Sequence, residues 1–220
     1  MLKKKIKTSL SLIAIIIITS IITSTAKQLP LAGKVITIDP GHGGRDPGTY
    51  YKGILEKDIN LQISLALEEE LLEKGATVYL IRRSDIDLSS IYDSKKKRGD
   101  LYRRLLMIKK NQSDMYLSIH INWYQNTYYK GAEVLYNQIN SQNKKLATAI
   151  MQEFKSSLNS KRHIHTTDLY MYKNTTIPGV LIECGYLSNA SERNLLITDE
   201  YQKKLAKSIT SGIINYFEDE

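Results

Sequence analysis

The sequence predicts an α/β domain: a single open, twisted, mostly parallel β-sheet of about six strands with helices on both faces. Three observations carry this reading. Short apolar, β-branched runs recur along the chain, KVITI at Lys34–Ile38 and GVLIEC at Gly179–Cys184 among them. Longer segments with apolar residues at helical spacing lie between those runs, and strands alternating with helices build a layered sheet. The composition is that of an ordinary globular protein, 42% hydrophobic and 25% charged over 220 residues, which excludes the collagen, coiled-coil and disordered classes.

Lys34–Ile38 is the first strand, stopped by Asp39-Pro40-Gly41. From Lys57 to Lys74, apolar residues at Ile59, Ile63, Ala66, Leu67 and Leu71 mark the buried stripe of an amphipathic helix, and Gly75 ends it. TVYLI at Thr77–Ile81 is the next strand. A polar, lysine-rich connection over Ser89–Asp100 leads into a helix at Leu101–Lys110, with the Lys95–Arg98 run, Arg103 and Arg104 expected on a solvated face. MYLSIHI at Met115–Ile121 and the segment Ala132–Tyr136 are strands, followed by a helix over Ser141–Leu158 with Leu146, Ile150 and Phe154 on one side. Leu169–Tyr172 reads as a short strand, and Gly179–Cys184, almost continuously apolar, as a central one. Residues 199–217 close the chain with a helix carrying Leu205, Ile209 and Ile213.

The N-terminus has its own logic. Lys3, Lys4, Lys5 and Lys7 precede an apolar run from Leu10 to Ile22, and Ser24-Thr25-Ala26 supplies the small residues of a cleavage site. A 13-residue helix spans about 20 Å at ~1.5 Å per residue, short of a bilayer core of ~30 Å. Residues 1–26 are therefore expected as a signal peptide or, extended through Ile6 and Thr25, a membrane anchor. Residues 27–33 form a lead-in, 34–217 the domain proper, and either form of the leader puts that domain outside the cytoplasm. Setting the four lysines aside leaves 27 Lys and Arg against 23 Asp and Glu, so the net +8 drops to +4. That surplus is too small for a dedicated nucleic-acid binder, and no nucleic-acid partner is expected. A single cysteine excludes a disulfide framework and a multi-thiolate zinc ribbon, so a metal here would need His, Asp or Glu.

Common catalytic signatures are missing. Asp46 takes the place of the last glycine in a G-x-G-x-x-G reading of Gly41–Asp46, and there is no GK[ST], H-E-x-x-H or G-x-S-x-G. Cys184 lies in an apolar strand beside an acid, the wrong setting for a nucleophile, and reads as packing. The His163-x-His165 pair sits in what reads as an exposed linker and is expected at the surface rather than on a second metal. What remains is polar residues in or just beyond apolar strands: His42, His120 and Glu183, together with Glu56 at the start of the first long helix. In open α/β sheets ligands bind at the carboxyl ends of strands, and a buried carboxylate calls for a partner. Each residue alone also fits a bland role, such as a satisfied core histidine or a helix-start acid.

Taken together, IDPGHGG at 38–44, LEKD at 55–58, SIHIN at 118–122 and PGVLIECGYLSN at 178–189 resemble the zinc-dependent N-acetylmuramoyl-L-alanine amidases of the "amidase 3" family. The four motifs follow in order along residues 34–217. The compact length, the N-terminal segment and the lead-in LPLAGK at 29–34 are most similar to the sporulation amidases of that family, the germination-specific, spore-cortex type.

The resemblance implies that His42, Glu56 and His120 hold zinc and that Glu183 is the catalytic acid. Around that centre, Arg45 and Asn122 are expected as contacts to the ligands or the substrate, and Trp123, with Tyr124 beside it, reads either as a surface for a sugar or peptide to stack on or as partly buried core. The substrate would be peptidoglycan, cut between the lactyl group of N-acetylmuramic acid and L-alanine of the stem peptide. The setting would be the forespore intermembrane or cortex space, before muramic δ-lactam forms, with an accessory protein of unstated identity left open. Membrane contact would run only through the N-terminal segment. Two positions depart from the family pattern, Tyr186 where Phe is usual and Cys184 where a small or aliphatic residue is usual. Two other readings stay open on the residues: an exported zinc peptidase cutting within the stem peptide, and a non-catalytic wall-binding protein of the same fold.

Overall fold

The computed structural model describes residues 29–219. The signal or anchor segment expected over residues 1–26 lies outside the described residues. Among the described residues no helix is long and apolar enough to cross a membrane.

A six-stranded sheet runs in the order β4-β1-β5-β8-β6-β7. Its strands are β1 (Val35–Pro40), β4 (Thr77–Leu80), β5 (Met115–Asn122), β6 (Glu133–Tyr136), β7 (Ile164–Thr166) and β8 (Gly179–Tyr186). The pairings are parallel except β6 with β8. A small hairpin, β2 (Tyr50–Tyr51) and β3 (Ile54–Leu55), leads into the first long helix. The helices are α1 (Glu56–Glu73), α2 (Lys96–Lys110), α3 (Ser141–Ser157), α4 (Tyr170–Lys173), α5 (Ala190–Leu196) and α6 (Asp199–Glu218).

Because side chains alternate across a strand, the register divides the sheet cleanly. One face carries Ile36, Ile38, Leu117, Ile119, Val180 and Ile182, all fully buried against Ile63 and Leu67 of α1, Ile150 and Phe154 of α3, and Ile209 and Ile213 of α6. The opposite face carries Asp39, Tyr116, Ser118, His120, Leu181, Glu183, Glu133 and Leu135. There only α2 and the short α4 provide cover, with Ile108, Met171, Tyr116 and Leu181 in a second, smaller apolar cluster. Helices do lie on both faces, but unequally, and the thinly covered face is the one left open.

The sixth strand is not where the sequence places it. Leu169–Tyr172 is not a strand; Tyr170–Lys173 is a single helical turn whose Met171 packs into the smaller cluster. The edge strand is instead Ile164–Thr166, inside the segment expected to be a linker. With one apolar residue in three, it has no alternation to detect. Helix α2 begins at Lys96 rather than Leu101, because its first turn is all charge and glycine and shows no apolar period. Helix α5 is also unexpected; its N-terminus is capped by the Asn189 side chain, which accepts from Glu192 N at 3.1 Å.

Candidate metal centre and catalytic acid

His42 follows β1 in a loop anchored by Gly41 N, which donates to Ile119 O at 2.9 Å. His42 has φ +60°, a left-handed conformation costing a non-glycine residue roughly 1–2 kcal/mol. Two arginines, each only 2% exposed, hold that conformation. Arg104 donates to Asp39 Oδ1 (2.6 Å), Pro40 O (2.9 Å), His42 O (2.6 Å) and Asp100 Oδ2 (2.8 Å). Arg82 donates to Pro40 O (3.0 Å), Gly41 O (2.9 Å) and Lys57 O (2.7 Å). The expectation of a solvated face therefore fails for Arg104, whose guanidinium lies beneath the His42 loop. Its i,i+4 spacing from Asp100 is the one signal in the sequence that could have shown it. Arg103 does lie outward, paired with Asp93.

Glu56 opens α1, yet it is more than a helix-start acid. Its backbone N donates to Thr49 O (2.9 Å), its Oε2 accepts from Thr49 N (2.8 Å), and the side chain is buried. Oε1 lies 3.1 Å from His42 Nε2 and 3.0 Å from His120 Nδ1. The two imidazole rings meet edge to face, 4.9 Å between centroids. One ligand atom from each of His42, Glu56 and His120 lies within 4.8 Å of the others, so the three could hold a metal ion. Asp46 Oδ2 stands 3.0 Å from His42 Nδ1 and so turns Nε2 toward Glu56, the usual way a carboxylate orients a ligating imidazole. Asp46 escapes a sequence reading that looks only for ligands. The His120 ring needs the glycine beside it, since a Cβ on Gly41 would fall 2.4 Å from its Cε1 and Nε2.

Burial works against the charge on Glu56, but hydrogen bonds from His120 and His42 outweigh it and hold the carboxyl well below its usual range. Burial lowers His42, but its contacts with Glu56 and then Asp46 outweigh that and raise it. Glu183 sits on β8 opposite His120 in register. Burial first, then the charges of Glu56 and Glu133, push its carboxyl well above the usual value. Its Oε2 is enclosed with no hydrogen-bond partner among the described residues. His42, His120 and Glu183 line one cleft of about 340 Å³, walled on its far side by Leu135, Leu169, Tyr170 and Met171. Two imidazoles and a protonatable acid thus face one space, with the low-pKa carboxylate of Glu56 buried against both imidazoles, the equipment of a metal-assisted hydrolase.

The remaining expected contacts stand further off. Arg45 is largely exposed, lies 3.8 Å from Asp87 and is not among the residues that line the cleft. Asn122 donates to Glu133 Oε1 at 3.0 Å. Trp123 and Tyr124 are half-exposed just past β5, and the Tyr124 ring packs against that of Tyr129, tilted to it with 4.6 Å between centroids. His165 is half-exposed on β7, and His42, Glu56 and His120 are the one metal-capable group among the described residues. Cys184 is fully buried and its thiol is pushed up by burial, as a packing residue should be.

Residues 36–215 match the family model described as N-acetylmuramoyl-L-alanine amidase. The chain belongs to that family. It is 39% identical over 197 residues to the germination-specific N-acetylmuramoyl-L-alanine amidase of Bacillus subtilis (strain 168), covering 86% of this chain and 82% of that one. The CwlD amidase from Clostridioides difficile, solved in complex with the GerS lipoprotein, matches with a TM-score of 0.82 and 36% identity over 86% of this chain and all of that one. The catalytic domain of CwlV, an N-acetylmuramoyl-L-alanine amidase from Bacillus (Paenibacillus) polymyxa, matches at TM-score 0.74 and 29% identity, covering 85% and 99% of the two chains. The amidase is thus a peptidoglycan hydrolase acting on an amide bond, with the single-domain α/β fold that the sequence predicts.

Proposed function

We propose that this amidase holds one zinc ion through His42, Glu56 and His120 and uses Glu183 as its acid–base group. The bond cut joins the lactyl group of N-acetylmuramic acid to L-alanine of the stem peptide. The observation that carries this reading is the convergence of three donors, from the loop after β1, from α1 and from β5, two of which line the cleft that Glu183 also lines. The donor set fits zinc, since two imidazoles and one carboxylate leave a fourth tetrahedral position free, as catalytic zinc sites do. When bound, zinc supplies a Lewis acid that polarises the scissile carbonyl and lowers the pKa of water toward ~7.

The chain's own residues do the rest. Asp46 fixes the His42 tautomer, and Arg104 and Arg82 keep the His42 loop from relaxing. Glu183 accepts the proton of the attacking water and delivers one to the departing L-alanine nitrogen. Its raised pKa favours the delivering half of that cycle. Part of the rise comes from the charge on Glu56, which weakens once that charge is shared with a cation. Leu135, Leu169 and Met171 give the cleft an apolar wall for the uncharged parts of the substrate.

The role we assign is spore-cortex maturation, in which peptide removal precedes muramic δ-lactam formation, by an enzyme exported through its N-terminal segment. The similarity to a germination-specific amidase supports that role. An accessory protein is part of the proposal, since the similar C. difficile amidase was solved with a lipoprotein partner.

The test is incubation of the full-length protein with peptidoglycan, with and without chelator, read by muropeptide mass. Free stem peptides with an intact N-terminal L-alanine, lost on chelation, are expected. Cuts inside the stem peptide would instead identify a peptidase and refute the reading.

A further inference from the structure

Strand pairing puts Glu133 of β6 directly opposite Glu183 of β8, so that His120, Glu183 and Glu133 form one row across the open face of the sheet. Like charges at facing positions of an antiparallel pair repel, and a buried carboxylate is costly unless it is paired. Glu133 is only 3% exposed, and it meets both demands by turning to other donors. Its Oε1 accepts from Asn122 Nδ2 (3.0 Å) and the Tyr186 hydroxyl (2.5 Å). Its Oε2 accepts from Arg162 Nε (2.9 Å) and Nη2 (2.7 Å), with His165 Nε2 at 3.3 Å. The Arg162 guanidinium also lies over the rings of Tyr129 and Tyr186, 5.3 and 5.5 Å from their centroids.

What Glu133 gathers is the far side of a β-bulge. His120 pairs with Glu183, but the next pair is Asn122 with Tyr186, so two steps along β5 match three along β8. The extra residue falls at Cys184-Gly185, where Gly185 adopts φ +152°. In a regular strand Tyr186, three residues on, would face away from Glu183. The bulge returns it to the same face, and only there can its hydroxyl reach Glu133. Asn122 and Tyr186 lie two residues past His120 and three past Glu183, and a single carboxylate fastens both. Glu183 Oε2 has no hydrogen bond of its own, so the aim of that side chain is inherited from its strand. Bulges beside active sites commonly re-aim a side chain in this way.

We propose that Glu133 is a positioning residue for the catalytic acid: by holding Asn122, Tyr186 and Arg162 together it locks the β5–β8 bulge that sets where Glu183 points. This rests on the role given to Glu183 above. Glu133 itself is not among the residues that line the cleft. Tyr186, a departure from the family's usual Phe, supplies one bond of the lock in this chain.

The test compares full-length wild type with Glu133→Gln, Tyr186→Phe and the double variant. A soluble disaccharide–tetrapeptide is the substrate, and kcat, KM, bound zinc per chain and Tm are measured. Glu133→Gln should lower kcat about 10–100-fold, the range found for outer partners of a site, with KM and zinc content unchanged. Tyr186→Phe should lower kcat in the same direction by less. The double variant should be no worse than Glu133→Gln alone, because both act through one carboxylate. Should Glu133→Gln fail to fold, Tyr186→Phe, which keeps the ring, carries the test. Folded variants with kcat within about twofold of wild type would overturn the proposal. So would a loss of kcat matched by lost zinc, or losses that multiply in the double variant. An inactive wild type would sink the amidase mechanism and this inference together, whereas an active wild type with undiminished variants sinks the inference alone.

Discussion

Replacing Arg104 by methionine keeps the bulk of a buried side chain and removes one guanidinium from beneath the His42 loop. Asp39 and Asp100, both buried, would lose their ion pair, and Pro40 O and His42 O would lose a donor. Removing one partner of a buried pair typically costs 3–5 kcal/mol. The lower end applies here, because Asp39 keeps Ser118 Oγ (3.0 Å) and Asp100 keeps Leu88 N (2.7 Å). About 3 kcal/mol is a large part of the 5–15 kcal/mol typical of a domain, and at this chain length it corresponds to a fall in Tm of roughly 6–12 °C. The variant should also bind zinc about 10–100-fold more weakly, because His42 O loses its donor and only Arg82, on Pro40 O and Gly41 O, still braces the loop. Arg104→Lys should fall between, since an ammonium restores the charge but cannot span four acceptors as a planar fork does. Thermal unfolding of the metal-free protein and a competitive chelator titration separate the two effects. A Tm within about 2 °C of wild type would refute the buried-pair reasoning. A lowered Tm with unchanged zinc affinity would refute the claim that Arg104 positions His42.

Two further outcomes follow from the site. Glu183→Gln should keep zinc at wild-type content yet lose about 10²–10⁴ in kcat, while His120→Ala should lose the zinc itself; metal analysis beside muropeptide turnover distinguishes them. Acid should loosen the loop after His42. The Lys57 Nζ hydrogen bond, helped by the Gly44 N–H and opposed by burial, holds Asp85 below its ordinary value of 3.8. A depressed carboxylate contributes stability that is present above its ordinary pKa and lost as pH falls through the lowered one. Asp85→Asn should therefore flatten the acid limb of a pH–stability curve below about pH 4, and an unchanged limb would contradict the assignment.

How much of this could be read from the chain depended on the length of each signal. Helix α1, with five apolar residues in register, and β8, almost wholly apolar, announce themselves, and His42, Glu56, His120 and Glu183 fall within recognisable motifs. The edge strand Ile164–Thr166 has one apolar residue and the turn Tyr170–Lys173 only four residues, so neither is long enough to show a period. The supporting charges were hidden for a different reason. Arg104, Arg82 and Glu133 break the rule that charged residues face water, and only tertiary partners distant in sequence make their burial tolerable. Arg104 reaches back 65 positions to Asp39, and Arg162 lies 29 from Glu133. No local pattern encodes either contact.

The two faces of the sheet explain how the direction of the reactive side chains is set. On β5, Leu117, Ile119 and Ile121 enter the thick core while Tyr116, Ser118 and His120 face the cleft; on β8, Ile182 and Cys184 do the first and Glu183 the second. Each buried aliphatic chain contributes about 1.5–3 kcal/mol. A slip of one residue would forfeit all of them at once while turning His120 and Glu183 into the core. The direction in which the ligand and the acid point is thus enforced by residues on the other side of the sheet that never touch them. That is also why an unremarkable thiol stands next to the acid. Cys184 fills core volume one step out of phase with Glu183, and the apolar environment that makes it inert is part of what keeps its neighbour facing the cleft.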